Sequence, residues 1–177
     1  MKIIFLDVDG VLNSEETFIK NQRIYETTGK HLADLDEDKI SLLKEIVEAT
    51  DAKIILSSTW RYYWRKEKKE MEVDSLGREL DKMLNKQGLY IFDKTPSLRD
   101  DRGIEIITWL SERNDVTNWI VIDDEIFDDF EKYGILPRLV KTDFYGKKGK
   151  GGGLQKEHVK LAISLLDENK NLNKFIK

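Results

Sequence analysis

Two aspartates spaced two apart, Asp7 and Asp9, close the apolar run Ile3-Ile4-Phe5-Leu6 and precede Gly10. Further along, Ser57-Ser58-Thr59 follows Ile54-Ile55-Leu56, and Asp123-Asp124-Glu125 follows Trp119-Ile120-Val121-Ile122. Residues two apart in an extended segment share a side, so Asp7 and Asp9 face together. If Asp123 and Asp124 end a neighbouring strand, three or four carboxylates converge. Such a cluster repels itself unless a cation neutralises it. An all-oxygen site with few protein ligands suits Mg²⁺, which keeps several waters and takes substrate phosphate as well. Phosphoryl transfer then needs a nucleophile in line, a proton donor for the leaving group, and positive charge on the equatorial oxygens. Asp7 supplies the first and Asp9 the second. A carboxylate nucleophile gives an acyl-phosphate that water then hydrolyses. Ser57 can donate a hydrogen bond to phosphate. Arg102 can neutralise charge, with Arg99 and Lys94 as competitors for that place.

These groups need elements to hold them. Ile3–Leu6, Lys53–Leu56, Leu89–Phe92 and Trp119–Ile122 are short continuous apolar runs, as strands buried on both faces would be, and Arg138–Lys141 is a fifth, weaker strand. Between them lie helical patterns. Asp36 caps a run carrying Ile40, Leu43, Ile46 and Val47. Ser75 opens another through Leu80 and Leu84, stopped by Gly88. Ile104, Ile107 and Leu110 mark a helix over about 102–113, and Val159, Ala162, Leu165 and Leu166 mark the last one. Residues 14–35 read as a polar, loop-like insert with one short helix. Phe127 and Phe130 suggest another short helix, and residues 142–153 a Gly/Lys loop. Strand and helix alternate, which predicts a three-layer α/β sandwich with a Rossmann-like parallel sheet of about five strands. In such sheets ligands bind beyond the carboxyl ends of the strands, where all three polar endings fall.

The bulk composition agrees. The 177 residues suffice for one domain with a real core, over 1–177. A net charge of −4 argues against wholesale adhesion to nucleic acid or membrane. The absence of cysteine excludes disulfides, thiolate nucleophiles and zinc–thiolate sites, and fits a reducing cytoplasm. The apolar start is too short for a signal-peptide core, and no stretch is long enough to span a bilayer.

Asp7-Val8-Asp9-Gly10-Val11-Leu12 resembles the first motif of the haloacid dehalogenase (HAD) superfamily of phosphohydrolases. Ile54-Ile55-Leu56-Ser57 resembles its second motif. Arg102 stands where its third-motif basic residue would fall, and Ile120-Val121-Ile122-Asp123-Asp124 resembles its acidic fourth motif. The ordered set spans residues 3–124, about two thirds of the chain. The resemblance implies that Asp7 is the nucleophile and a metal ligand. It implies that Asp9 is the acid/base, with its backbone carbonyl on the metal, and that Mg²⁺ is held with Asp123 and Asp124. The family's phosphatases carry an acid at the Asp9 position and its ion pumps a threonine, so Asp9 implies hydrolysis. Leu6–Asn13, Leu56–Arg61 and Trp119–Asp124 are, more closely, similar to small HAD domains of RNA-repair proteins. That likeness implies a phosphorylated polynucleotide end or nucleotide as substrate. The space between Asp9 and Ser57 implies a minimal cap or none.

Other segments have plainer accounts. Trp60-Arg61-Tyr62-Tyr63-Trp64-Arg65 could stack bases and hold phosphates, although half-buried packing explains it as well. Ser58 or Thr59 suits a helix cap better than a phosphate contact. Lys147–Gly153 lacks the ending of a P-loop and reads as a mobile loop. His31 and His158 are isolated, and Asp128 could stand behind the metal. A phosphoacceptor receiver domain is disfavoured, because Asp9-Gly10 has no role in it. A non-catalytic module binding phosphorylated RNA or protein is the rival to a phosphatase.

Overall fold

The structure, a computed structural model, describes residues 1–70, 72, 75–98, 101–146 and 151–167. Five parallel strands form one sheet: β1 (Lys2–Leu6), β2 (Lys53–Leu56), β3 (Ile91–Lys94), β4 (Asn118–Asp123) and β5 (Leu139–Lys141), in the order β3-β2-β1-β4-β5. The helices are α1 (Glu15–Thr28), α2 (Glu37–Thr50), α3 (Leu76–Lys86), α4 (Arg102–Ser111) and α5 (Lys156–Asp167). The expected α/β sandwich is therefore present, with the Asp7 strand beside the Asp123 strand.

Alternation along the strands divides the core in two. Ile4 and Leu6, with Ile54, Leu56, Ile120 and Ile122, pack under α2, α3 and α5. Ile3 and Phe5, with Ile55, Trp119 and Val121, pack against Ile106 and Trp109 of α4. Both faces are covered by helices, which is why the central strands read as unbroken apolar runs. The Phe5 ring meets Trp109 and Trp119 edge-on, at centroid distances of 5.5 and 6.0 Å, the arrangement the ring quadrupoles favour. The Asp36 carboxylate accepts from Asp38 N at 2.9 Å to start α2, and Ser75 caps α3 as its sequence predicted.

Three expectations change. The segment 14–35 holds α1, a helix of 14 residues rather than a short one. Its sequence hides this because only Thr17 of the helix is buried. Its ends are well made instead, with two glutamates in the first turn and Gly29 in the left-handed region at the last. β3 begins at Ile91, two residues later than expected, because Leu89 closes the end of α3, its N–H donating to Leu84 O. Phe127 and Phe130 are the two ends of one turn, Phe130 N donating to Phe127 O at 3.0 Å, and not part of a helix. Phe130 is pulled wholly into the α4-side core. Among the described residues no helix is long and apolar enough to cross a membrane.

Candidate active site

Register brings the candidate residues level. Leu6 lies opposite Leu56 on one side and Ile122 on the other, so Asp7, Ser57 and Asp123 occupy the next rung together. Backbone bonds continue the ladder there: Asp7 N donates to Ile122 O at 3.0 Å and Ser57 N to Leu6 O at 2.8 Å. Asp7, Ser57 and Asp123 share the parity of Phe5, Ile55 and Val121, which face α4. Arg102, the first residue of α4, meets them: its Nη1 lies 3.2 Å from Asp7 Oδ1 and 3.8 Å from Asp123 Oδ2. Its guanidinium also lies 4.9 Å from the Phe127 ring centroid.

Of the two basic candidates among the described residues, Arg102 is thus the one on Asp7. Lys94 Nζ instead donates to the carbonyls of Arg61 and Trp64, at 2.8 and 2.9 Å. Burial lowers its pKa, with the neighbouring Arg65 and Arg61 charges acting in the same direction. Arg99 lies outside the described residues.

Carboxylate oxygens of Asp7, Asp123 and Asp124 lie within 4.8 Å of one another. Burial raises the Asp7 pKa well above the usual carboxylate range, and repulsion from Asp123 adds to it, partly offset by Arg102. Burial pushes Asp123 up to about 6, against the pull of Arg102. Asp124 is raised by burial and then by Glu125. Arg102, with Lys141 near Asp124, does not balance three such groups. Asp123 Oδ2 is buried and has no hydrogen-bond partner among the described residues. A hard divalent cation fits this donor set, which is all oxygen, anionic and short of neutralising partners. Ser57 Oγ is likewise buried without a hydrogen-bond partner. An unmet buried hydroxyl on the same rung as the Asp7 and Asp123 carboxylates is placed to serve an anion.

The chain does not stay extended past Asp7. It turns at Gly10 (φ +69°), where a side chain would strike the Asp124 carboxylate at 2.2 Å. Asp9 therefore does not join the metal-type cluster through its carboxylate. Its Oδ2 accepts from Trp60 Nε1 at 3.0 Å and its Oδ1 from Asn13 Nδ2 at 2.8 Å. Thr142 Oγ1 donates to Gly10 O at 2.7 Å, and Leu154 N donates to Val11 O, strapping the same turn from behind.

Sequence reasoning missed several supports. Asp129 caps α4 from outside: Gly103 N and Ile104 N donate to its two oxygens at 3.0 and 2.9 Å. It thereby anchors the turn that carries Arg102. Arg61 and Glu105 form a buried ion pair at 2.7 Å, joining the segment after Ser57 to α4. Glu105 sits one turn from Arg102 on α4, a polar residue set within an apolar helical pattern. Trp60, Arg61 and Trp64 are buried, so they offer no face to bases, while Tyr62 and Tyr63 are exposed. Ser58 caps the 3₁₀ turn Thr59–Tyr62. His31 stacks on Tyr25, and His158 Nδ1 accepts from Gln155 N, so each has a local structural use. Lys147–Lys150 lie outside the described residues; Gly152 and Gly153 pack against Phe144 O and Asn13 O.

The arrangement of a carboxylate rung, a buried hydroxyl and a basic helix start has a match in sequence. Residues 3–159 match the family described as the HAD domain in Swiss Army Knife RNA repair proteins. The chain belongs to this family. The match runs from the first residue of the buried part of β1 into α5, so it takes in every candidate residue of this HAD domain. Neither the curated proteins nor the solved structures hold a match to the chain.

Proposed function

We propose that this HAD domain is a Mg²⁺-dependent phosphomonoesterase working through an aspartyl-phosphate on Asp7, with phosphorylated polynucleotide ends or nucleotides as substrates. The observation that carries the reading is the level rung of Asp7, Ser57 and Asp123 with Arg102 Nη1 3.2 Å from Asp7. The family's RNA-repair description supports the substrate class.

In the first half-reaction an Asp7 oxygen attacks phosphorus. The bond from phosphorus to the leaving-group oxygen breaks, its electron pair stays on that oxygen, and the oxygen takes a proton from the Asp9 carboxyl. In the second, water attacks the phosphorus of the aspartyl-phosphate and gives a proton to Asp9. The bond to Asp7 breaks and its electrons return to the carboxylate, so alcohol and inorganic phosphate are the products. Ser57 Oγ donates to a phosphate oxygen, and Arg102 steadies the Asp7 carboxylate and the charge beside it. Asp7, Asp123, Asp124 and the Asp9 carbonyl would hold the metal ion, which when bound neutralises the carboxylates and the phosphate oxygens. The cytoplasm, as a reducing compartment, suits a chain without cysteine.

Screening purified protein against aryl phosphate, nucleotides, sugar phosphates, and 3′- and 5′-phosphorylated oligonucleotides tests this. Hydrolysis that chelation abolishes and that is absent in Asp7→Asn is expected. Equal activity of Asp7→Asn and wild type would overturn the nucleophile. Metal binding without turnover of any phosphate would favour a non-catalytic module.

A further inference from the structure

Asp9 is usefully placed only if its carboxyl points at the leaving group, yet an aspartate beyond the end of a strand has several staggered rotamers open to it. Two N–H donors from different parts of the chain remove that freedom. Trp60 Nε1 reaches Oδ2 across 51 positions of sequence, and Asn13 Nδ2 reaches Oδ1. The indole N–H is a donor only, so its partner must accept. The orientation of the Asn13 amide follows from its neighbours. Gly10 N donates to its Oδ1 at 2.9 Å, which leaves Nδ2 to face Asp9 and the carbonyl of Asp34, both acceptors. Each of the three bonds of Asn13 then has its donor matched to an acceptor.

The indole itself is held. Trp60 is 5% exposed and packs in the core on the α2 side. Its turn is capped at the start by Ser58 and tied at the end by Lys94, which donates to Arg61 O and Trp64 O. This turn begins directly after Ser57. The segment that presents a hydroxyl to phosphate is therefore also the segment that aims the acid/base.

We propose that Trp60 and Asn13 are positioning residues that clamp the Asp9 carboxyl toward the leaving-group oxygen, so that Trp60 couples the Ser57 loop to proton transfer. The proposal rests on the phosphatase reading of Asp9. A misplacement of about 1 Å can cost on the order of 10²-fold in rate. The loss should fall where a proton is needed. An alkyl alkoxide leaves poorly without one, whereas p-nitrophenolate leaves readily.

The decisive experiment compares Trp60→Phe, which keeps a ring and removes the N–H, with wild type on two substrates. For an alkyl monoester, kcat/KM is expected to fall roughly 10- to 100-fold. The fall for p-nitrophenyl phosphate should be at least about tenfold smaller. The inhibition constant of inorganic phosphate should stay within about twofold, since the clamp does not bind phosphate. Asn13→Ala should give the same pattern and stands in if Trp60→Phe fails to fold. In an Asp9→Ala background, Trp60→Phe should add nothing. Equal falls on both esters, or an undiminished effect without Asp9, would overturn the clamp. A readout without turnover is the Trp60 indole N–H resonance, which should move in Asp9→Ala while those of Trp109 and Trp119 stay put. An indole resonance that ignores Asp9→Ala sinks the clamp itself. A wild-type protein that cleaves neither ester sinks the phosphatase reading, and with it the catalytic purpose of the clamp.

Discussion

At the carboxyl edge of β1 and β4, Asp7 and Asp123 are 6% and 1% exposed, and their neighbours Ser57 and Arg102 are fixed by sheet register and by α4. In α1, which starts shortly after Asp9, one residue is buried and the apolar side chains Phe18, Ile19 and Tyr25 lie open. The two regions meet at Asn13, which bonds Asp9 on one side and Asp34 O, beyond α1, on the other. Burial at the edge makes charge expensive and geometry exact enough for chemistry. Exposure in α1 makes substitution cheap and leaves an arm beside the site free to vary. The comparison predicts that changes at the edge are large and take function with them, while changes in the arm are small and separable.

The largest expected effect is Asp7→Asn. Turnover should fall by on the order of 10⁴ or more, as for loss of a nucleophile. Stability of the metal-free protein at pH 7 should not fall with it, because the substitution removes one of three mutually repelling carboxylates, two of them buried. Thermal unfolding beside the kinetics checks both. A variant that loses activity and also melts far lower would mean that Asp7 is a structural charge, and would erase the contrast with α1.

A second large effect concerns support of the edge. Arg61 and Glu105 are paired with side chains only 3% and 0% exposed. Glu105→Ala leaves the Arg61 charge buried without its carboxylate, so unfolding free energy should drop by about 3–5 kcal/mol in urea melts. The surface pair of Lys86 and Glu37, at 2.6 Å with both side chains more than half exposed, is the control. Glu37→Gln there should cost under about 1 kcal/mol.

The cation comes next. Folding raises the pKa of Asp7, Asp123 and Asp124, so the native state binds more protons than the unfolded one. Their contribution to stability is full below the ordinary carboxylate range near 4 and is lost as pH rises through about 6, the value of Asp123. Metal-free protein should therefore lose this increment between about pH 4 and 7. Mg²⁺ should restore it at pH 7 and do little at pH 4.5, where protons compete. At a hundredfold excess over its dissociation constant the ion is worth about 2.7 kcal/mol, or roughly 5–10 °C in Tm. A shift equal at both pH values, or retained in Asp123→Asn, would place the ion elsewhere.

How much of this the sequence carried depends on how each part is stabilised. β1, β2 and β4 were legible because strands covered on both faces must be apolar throughout. Asp7, Ser57 and Asp123 were legible because they are the first polar residues after those runs. Arg102 was legible as the residue opening the helix that leads to β4. The supports were not, because each depends on a partner distant in sequence: Asp129 on the start of α4, Glu105 on Arg61, Trp60 on Asp9. The length of α1 was hidden for a different reason. A helix held by its caps and by a few contacts, such as Asn21 to Ala33 O and the Phe18 ring on Phe144, shows little apolar periodicity to read.

The smallest expected effects belong to α1 and sharpen the comparison most. A groove of about 650 Å³ lies along this arm, lined in part by Phe18, Ile19, Tyr25, His31 and Leu32. Ile19→Ser removes exposed apolar surface without opening the core, so stability should change by less than about 0.5 kcal/mol. Turnover of a small aryl phosphate should be unaffected, since no α1 side chain reaches the Asp7 rung. If the arm guides a long substrate, KM for a phosphorylated oligonucleotide should rise while kcat holds, the mark of binding lost equally in ground and transition states. If kcat falls instead, on the aryl phosphate as well, the effect has travelled through Asp34 and Asn13 to Asp9. The arm would then be part of the catalytic assembly, and the division between a fixed edge and a free arm would have to be redrawn at Asn13.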